Sequence, residues 1–86
     1  MKNKLINILN NALDNLDLPK ENVAFQIPKN PSHGDFTTNY PMINSKLIAK
    51  PPIDIAKKIV DEMKRQNNIL IDSIDYIPPG FINVKI

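Results

Sequence analysis

The sequence contains no cysteine and no tryptophan, only two glycines, a single histidine and a single arginine. Without thiols there is neither a disulfide framework nor a thiolate metal site, so the fold has to rest on apolar packing. His33 alone cannot build a metal centre without several carboxylate partners. A phosphate-cradling loop needs several glycines together so that backbone N–H groups can converge on an anion, whereas Gly34 and Gly80 stand far apart in the chain; nucleotide binding of that kind is excluded. Nor is there a run of about twenty apolar residues of the kind that spans a bilayer. The opening Met1-Lys2-Asn3-Lys4-Leu5 begins an amphipathic pattern rather than an apolar signal core. The expectation is a soluble, cytoplasmic chain with no membrane partner.

The chain is 86 residues long, with eleven basic and nine acidic side chains for a formal net charge of +2. That length supports one small domain, residues 1–86, with a single core. The charge permits contact with RNA without demanding it, because electrostatic binders cluster many more cations.

Between these limits the apolar residues are patterned. Leu5, Leu9, Ala12, Leu13 and Leu16 recur at spacings of three and four, predicting a helix from Lys2 to Leu16 with one buried stripe, ended before Pro19. Residues 23–27 read as a short strand with Val23, Phe25 and Ile27 on one face. The following segment, from Pro28 to Asp35, is irregular by its proline, asparagine and glycine content. Thr37, Thr38 and Asn39 offer N-cap oxygens to a second helix that would bury Met42, Ile43, Leu47 and Ile48, with Pro41 tolerable in its first turn. A third helix starts at Pro51-Pro52, where proline costs little because the first N–H groups lack intrahelical acceptors. Its stripe is Ile55, Ala56, Ile59, Val60 and Met63, while Lys57, Lys58, Asp61, Lys64 and Arg65 lie on a solvated face. Asn67-Asn68 breaks the pattern.

The chain closes on a hairpin, with strands near residues 71–77 and 81–86 around the turn Pro78-Pro79-Gly80. The predicted fold class is therefore α+β: a small antiparallel sheet of three to four strands packed against about three helices. In the last strand, alternation sends Ile82, Val84 and Ile86 to one face, with Ile74 and Tyr76 beside them, and Phe81, Asn83 and Lys85 to the other. An aromatic ring, an amide and a cation can stack on a base, hydrogen-bond its edge and neutralise a phosphate. The same face could instead be covered by a helix with Phe81 buried, or could dock a protein. In the preceding loop, His33 and Asp35 lack a third orienting group for acid/base work. Their expected role is geometric, with Gly34 free to take positive φ and Asp35 bonding its own following amides to shape the approach to the second helix.

Three blocks, His33-Gly34-Asp35-Phe36-Thr37-Thr38-Asn39, then Lys50-Pro51-Pro52-Ile53-Asp54-Ile55-Ala56, then Pro79-Gly80-Phe81-Ile82-Asn83, come in an order and spacing that resembles the N-terminal additional domain of arginyl-tRNA synthetases. The resemblance runs nearly from end to end. It implies a tRNA-binding module that meets the D-loop at the outer corner of tRNA(Arg), with the remaining domains of a class I synthetase as its other partners. It further implies Phe81 and Asn83 as contacts to a D-loop base and Gly34, Asp35 and Asn39 as loop and cap structure, with Gly80 in the turn; Lys85, on the same face by alternation, would stand beside phosphate. Relatives often carry tyrosine where Phe81 stands and alanine where Pro41 stands. No HIGH-type motif is present, so the chain reads as an isolated, monomeric N-terminal fragment without a catalytic site or cofactor. ATP with Mg would serve the parent enzyme, an arginine–tRNA ligase of protein biosynthesis. The alternative is a small protein–protein interaction module using the same sheet face.

Overall fold

A computed structural model describes residues 2–86 as a mixed α+β domain of four helices and one antiparallel sheet. Helix α1 spans Lys2–Asn15. A 3-10 turn at Pro31–His33 precedes strand β1, Phe36–Thr38. Two short helices follow, α2 at Tyr40–Ile43 and α3 at Ser45–Ile48, and then the long helix α4, Pro52–Gln66. Strands β2, Ser73–Ile77, and β3, Phe81–Lys85, form the terminal hairpin. The sheet order is β1-β3-β2, so the last strand in sequence is the middle strand in space.

The two long helices form where their periodicity predicts. Leu5, Ile8, Leu9, Ala12 and Leu13 of α1 are buried, as are Ile55, Ala56, Ile59, Val60 and Met63 of α4. Pro52 sits in the first turn of α4, and Asn67, in the left-handed region at φ 50°, ends the helix. Helix α4 packs against β2, β3 and α1, closing a core that Phe25, Tyr40, Ile74, Ile82 and Val84 complete. Pairing of Ile74 with Val84 and of Tyr76 with Ile82 places the inward residues of the hairpin opposite one another.

The structure departs from the sequence pattern between the two long helices. Residues 23–27 do not form a strand: Gln26 alone bridges to Thr37, through N–H···O bonds of 2.8 Å in each direction. Asn22, at φ 57°, turns the chain just before this segment and Pro28 follows it closely, so the ladder has no room to propagate. Phe25 still points into the core, whereas Ile27 is 76% exposed. The third strand is instead Phe36–Thr38, with Phe36 opposite Val84 and Thr38 opposite Ile82.

The second helix is also not continuous. Asn44 interrupts it, being buried with its Nδ2 donating at 3.1 Å to the carbonyls of both Glu21 and Tyr40. Tyr40 rather than Ile43 or Leu47 supplies the core contact, and the latter two are exposed. The Tyr40 hydroxyl donates to the Pro19 carbonyl at 2.6 Å, and burial, with the nearby Glu21 charge, pushes this phenol up to about 12. Asn39 occupies the position before α2 but makes no side-chain cap bond; the Thr38 hydroxyl accepts from the Tyr40 N–H at 3.2 Å instead.

The crossing between the 28–35 segment and the sheet depends on Gly34. At φ 95° a Cβ on this residue would stand 2.7 Å from the Val84 carbonyl oxygen, a backbone atom held in the middle strand. Asp35 does not bond its own following amides. Its N–H donates to the Val84 carbonyl and its Oδ2 accepts from the Ile86 N–H, both at 2.8 Å, so it clamps the end of β3. Gly80 meets a different limit, with Pro52 Cβ 2.8 Å from where its own Cβ would be.

Two predictions follow from this packing. Gly34→Ala combines left-handed strain with a backbone clash and should destabilise the domain by at least about 2 kcal/mol, read as a lowered urea midpoint with an unchanged m-value. The second concerns Glu62, whose side chain is only 10% exposed. Arg65, then Asn15 from α1, hold its carboxyl down from the ordinary value of 4.5 to about 2. A carboxyl depressed on folding stabilises the folded state above its unfolded pKa, and that stabilisation disappears as the pH falls through the folded value. The stability difference between wild type and Glu62→Gln should therefore be constant above about pH 5.5 and shrink progressively from about pH 4.5 to pH 2. Urea midpoints of both proteins across that range test it.

Candidate RNA-contact face

The outer face of the sheet is built by alternation alone. Because Ile82 and Val84 are fully buried, Phe81, Asn83 and Lys85 must emerge on the far side of β3, and they do, with Phe81 and Asn83 half-buried and Lys85 exposed. Register then assembles the neighbours. Ile77 lies opposite Phe81, Asp75 opposite Asn83 and Ser73 opposite Lys85, while Thr37 of β1 flanks Asn83 from the other side. Among the described residues, none from an α-helix lines the cavities on this face. Its partial cover is the 28–34 segment, brought down by the bridge at Gln26 and by the close approach of Gly34 to Val84.

Two adjoining cavities result. The first, of about 430 Å³, is lined mainly by apolar groups: Ile27, Pro28, Ile77, Pro78 and Phe81, with Thr37, His33, Lys29 and Asn83 at its margins. The second, of about 290 Å³, is polar, with Ser32, His33, Ser73, Asp75, Asn83 and Lys85 on its walls. His33, Ile77 and Asn83 are common to both. A concave apolar surface with a few fixed polar groups at its edge is the usual form of a site for a planar ligand.

Asn83 is oriented by Thr37. The Thr37 hydroxyl lies 2.8 Å from Asn83 Oδ1 and 3.2 Å from the Ile82 carbonyl. It has one proton to give, and the shorter contact matches the optimal O–H···O distance while the longer lies beyond the usual range. Oδ1 is thereby engaged, and the Nδ2 hydrogens, which have no protein acceptor among the described residues, face outward as donors.

The structure brings Phe81 and Asn83 into one cavity and Asn83 and Lys85 into the other. Gly34 and Asp35 hold the covering loop against β3. Gly80 packs toward Pro52 and Met42, and Asn39 belongs to neither cavity. Thr37, Asp75, Ile77 and His33 join the site although sequence reasoning gave Thr37 a capping role and His33 a loop role. The signal for Thr37 was compositional, two β-branched residues in the three of Phe36-Thr37-Thr38, in a strand too short to stand out.

Comparison with known proteins bears on this arrangement. The family described as the arginyl tRNA synthetase N terminal domain matches residues 3–86. The chain is 40% identical over 85 residues to an arginine–tRNA ligase of Ehrlichia ruminantium (strain Gardel), covering 94% of this chain and 14% of that protein. It is 37% identical over 72 residues to the arginine–tRNA ligase of Listeria monocytogenes serotype 4a (strain HCC23), covering 84% of this chain and 12% of the relative. An arginine–tRNA ligase of Leptospira interrogans (strain Fiocruz L1-130) is 26% identical over 81 residues. The chain thus spans about one-seventh of the length of these relatives, at the 14% the longest alignments cover. With a match that runs from residue 3 to residue 86, the chain belongs to the arginyl-tRNA synthetase N-terminal domain family.

Proposed function

We propose that this domain is the tRNA-contacting module of an arginyl-tRNA synthetase, and that its apolar cavity takes a base from the D-loop of tRNA(Arg). The observation that carries the reading is that Phe81 and Asn83, two of the three residues that alternation turns outward, line one cavity on a sheet face that the 28–34 segment covers only in part. A base entering it stacks on the Phe81 ring and loses water against Ile27, Ile77 and Pro78, while the Asn83 Nδ2 group donates to an acceptor on its edge. Stacking accepts any base; the amide, held in place by Thr37, adds the directional contact. Lys29 and Lys85 at the two ends of the face serve the phosphates on either side of the bound base.

The chemistry of arginylation belongs in this reading to the other domains of the parent enzyme. ATP and magnesium are proposed there and not here. The domain contributes position: it binds the tRNA elbow and so helps fix the orientation in which the distant acceptor end is presented.

Titration of a D-arm hairpin RNA against the chain, followed by NMR, tests the proposal. Phe81→Ala should weaken binding by about tenfold or more, in line with roughly 1–3 kcal/mol per stacked base. Since Phe81 is half-buried, its truncation should lower the unfolding free energy from urea denaturation far less than the roughly 3–5 kcal/mol cost of truncating a core phenylalanine. A large loss of stability with unchanged RNA binding would return Phe81 to a purely structural role. Thr37→Val keeps the strand but removes the donor, and should flatten the preference among loop bases while Thr37→Ser restores it. Binding should also weaken with salt through counterion release; affinity indifferent to salt and to RNA sequence would favour a protein partner on this face.

A further inference from the structure

Of the polar cavity beside the base-binding one, the reading above uses only Lys85 and the shared Asn83, and it leaves Asp75 without a role. The cavity shares the His33, Ile77 and Asn83 walls with its neighbour, so whatever fills the apolar side places the rest of its strand against the polar side. At its Asp75 end the chemistry is not that of a phosphate site. Asp75 stands in it directly opposite Asn83 in the register, one strand spacing away, and its carboxylate forms no ion pair or hydrogen bond among the described residues. A carboxylate repels phosphate and has only acceptors to offer, so it needs a ligand that presents a hydroxyl or N–H donor. Lys85, the cation of this cavity, lies two residues further along β3, opposite Ser73. The compartment therefore runs from an acceptor near the base-binding residue to a cation at the far end, which is the order of groups along a nucleotide from sugar to phosphate.

We infer that the polar cavity is a ribose subsite, in which Asp75 accepts a hydrogen bond from a 2′-hydroxyl while Lys85 meets the adjoining phosphate. The inference rests on the proposal that a base occupies the neighbouring cavity, and it gives the face a property that stacking and amide contacts lack. A 2′-hydroxyl exists in RNA and not in DNA, so Asp75 makes this surface discriminate between the two. The residue pays for that selectivity in general affinity, because its charge opposes every nearby phosphate.

The test is a set of D-arm hairpin RNAs, each carrying a single 2′-deoxy substitution at one loop position, titrated against the wild-type chain, Asp75→Ala and Phe81→Ala. One loop position is expected to lose about tenfold in wild-type affinity on removal of its 2′-hydroxyl, the scale of a hydrogen bond to a charged group. In Asp75→Ala that difference should vanish, while affinity for the all-RNA hairpin falls by less than tenfold, because loss of the hydrogen bond is offset in part by removal of a negative charge. Asp75 is exposed and its carboxylate unbonded, so the variant's urea midpoint should match wild type. Asp75→Asn, which keeps one acceptor oxygen, should retain part of the discrimination. If no deoxy position matters to wild type although Phe81→Ala still weakens binding, the ribose subsite is wrong and the base-binding reading survives. Retention of the full deoxy effect in Asp75→Ala would likewise overturn the assignment. If Phe81→Ala and the deoxy substitutions both leave binding unchanged, the base-binding reading falls together with it.

Discussion

The architecture depends on one strand having two incompatible faces. Ile82 and Val84 are fully buried between the sheet and α4, and each is paired with an inward residue on both neighbouring strands. A shift of one residue in that register would carry Phe81, Asn83 and Lys85 into the core and expel the two aliphatics, at a cost no small domain could absorb. The same burial that stabilises the fold therefore determines which three side chains face outward, in what order and at what spacing. The site needs no special scaffold; it is the reverse side of the core. Because β3 is the middle strand, both sides of that reverse face have neighbours, and Thr37 and Asp75 flank Asn83 as a direct result.

A bare sheet face would be flat. What makes this one concave is the irregular segment that descends over it, and its attachment rests on few contacts. The Gln26 bridge holds one end, and at the other the absence of a Cβ on Gly34 lets the chain approach the Val84 carbonyl. Asp35 completes the junction by bonding both sides of the β3 terminus. Strain at φ 95° is thus coupled to the formation of two cavities. A substitution at Gly34 would act on the binding face through its shape even if the folded state persisted.

Legibility in the sequence followed the strength of the repeating signal. The stripes of α1 and α4 extend over several turns, and every residue assigned to the α4 stripe is buried. The hairpin announced itself through alternation on both sides of Pro78-Pro79-Gly80, and the outward set of Phe81, Asn83 and Lys85 was readable from parity alone. What failed was short and governed from a distance. Residues 23–27 alternate like a strand, but Asn22 and Pro28 confine them to a single bridge; the three residues that do pair, Phe36–Thr38, are too few for a period to show. Helix α2 gained its core contact from Tyr40, whose hydroxyl reaches the Pro19 carbonyl, a partner no local pattern reveals. Asp35 was assigned a local bond and instead makes one to Ile86, 51 residues away.

The polar members of the site illustrate the same division at finer grain. Parity along β3 identified Asn83 but could not identify what orients it, because that depends on which strand lies alongside and in which register. Once Thr37 is placed opposite Asn83, the hydroxyl at 2.8 Å turns a freely rotating amide into a donor of defined direction. An amide free to flip would offer a base a donor or an acceptor with similar ease and so would distinguish little; an amide with its oxygen already committed does not have that choice. In the proposed reading, discrimination on this face would arise between strands, from contacts that Thr37 and Asp75 make possible on either side of Asn83. A stacking ring supplies affinity wherever it is exposed, but selectivity requires polar neighbours held in fixed register, and the middle position of the last strand is what provides them.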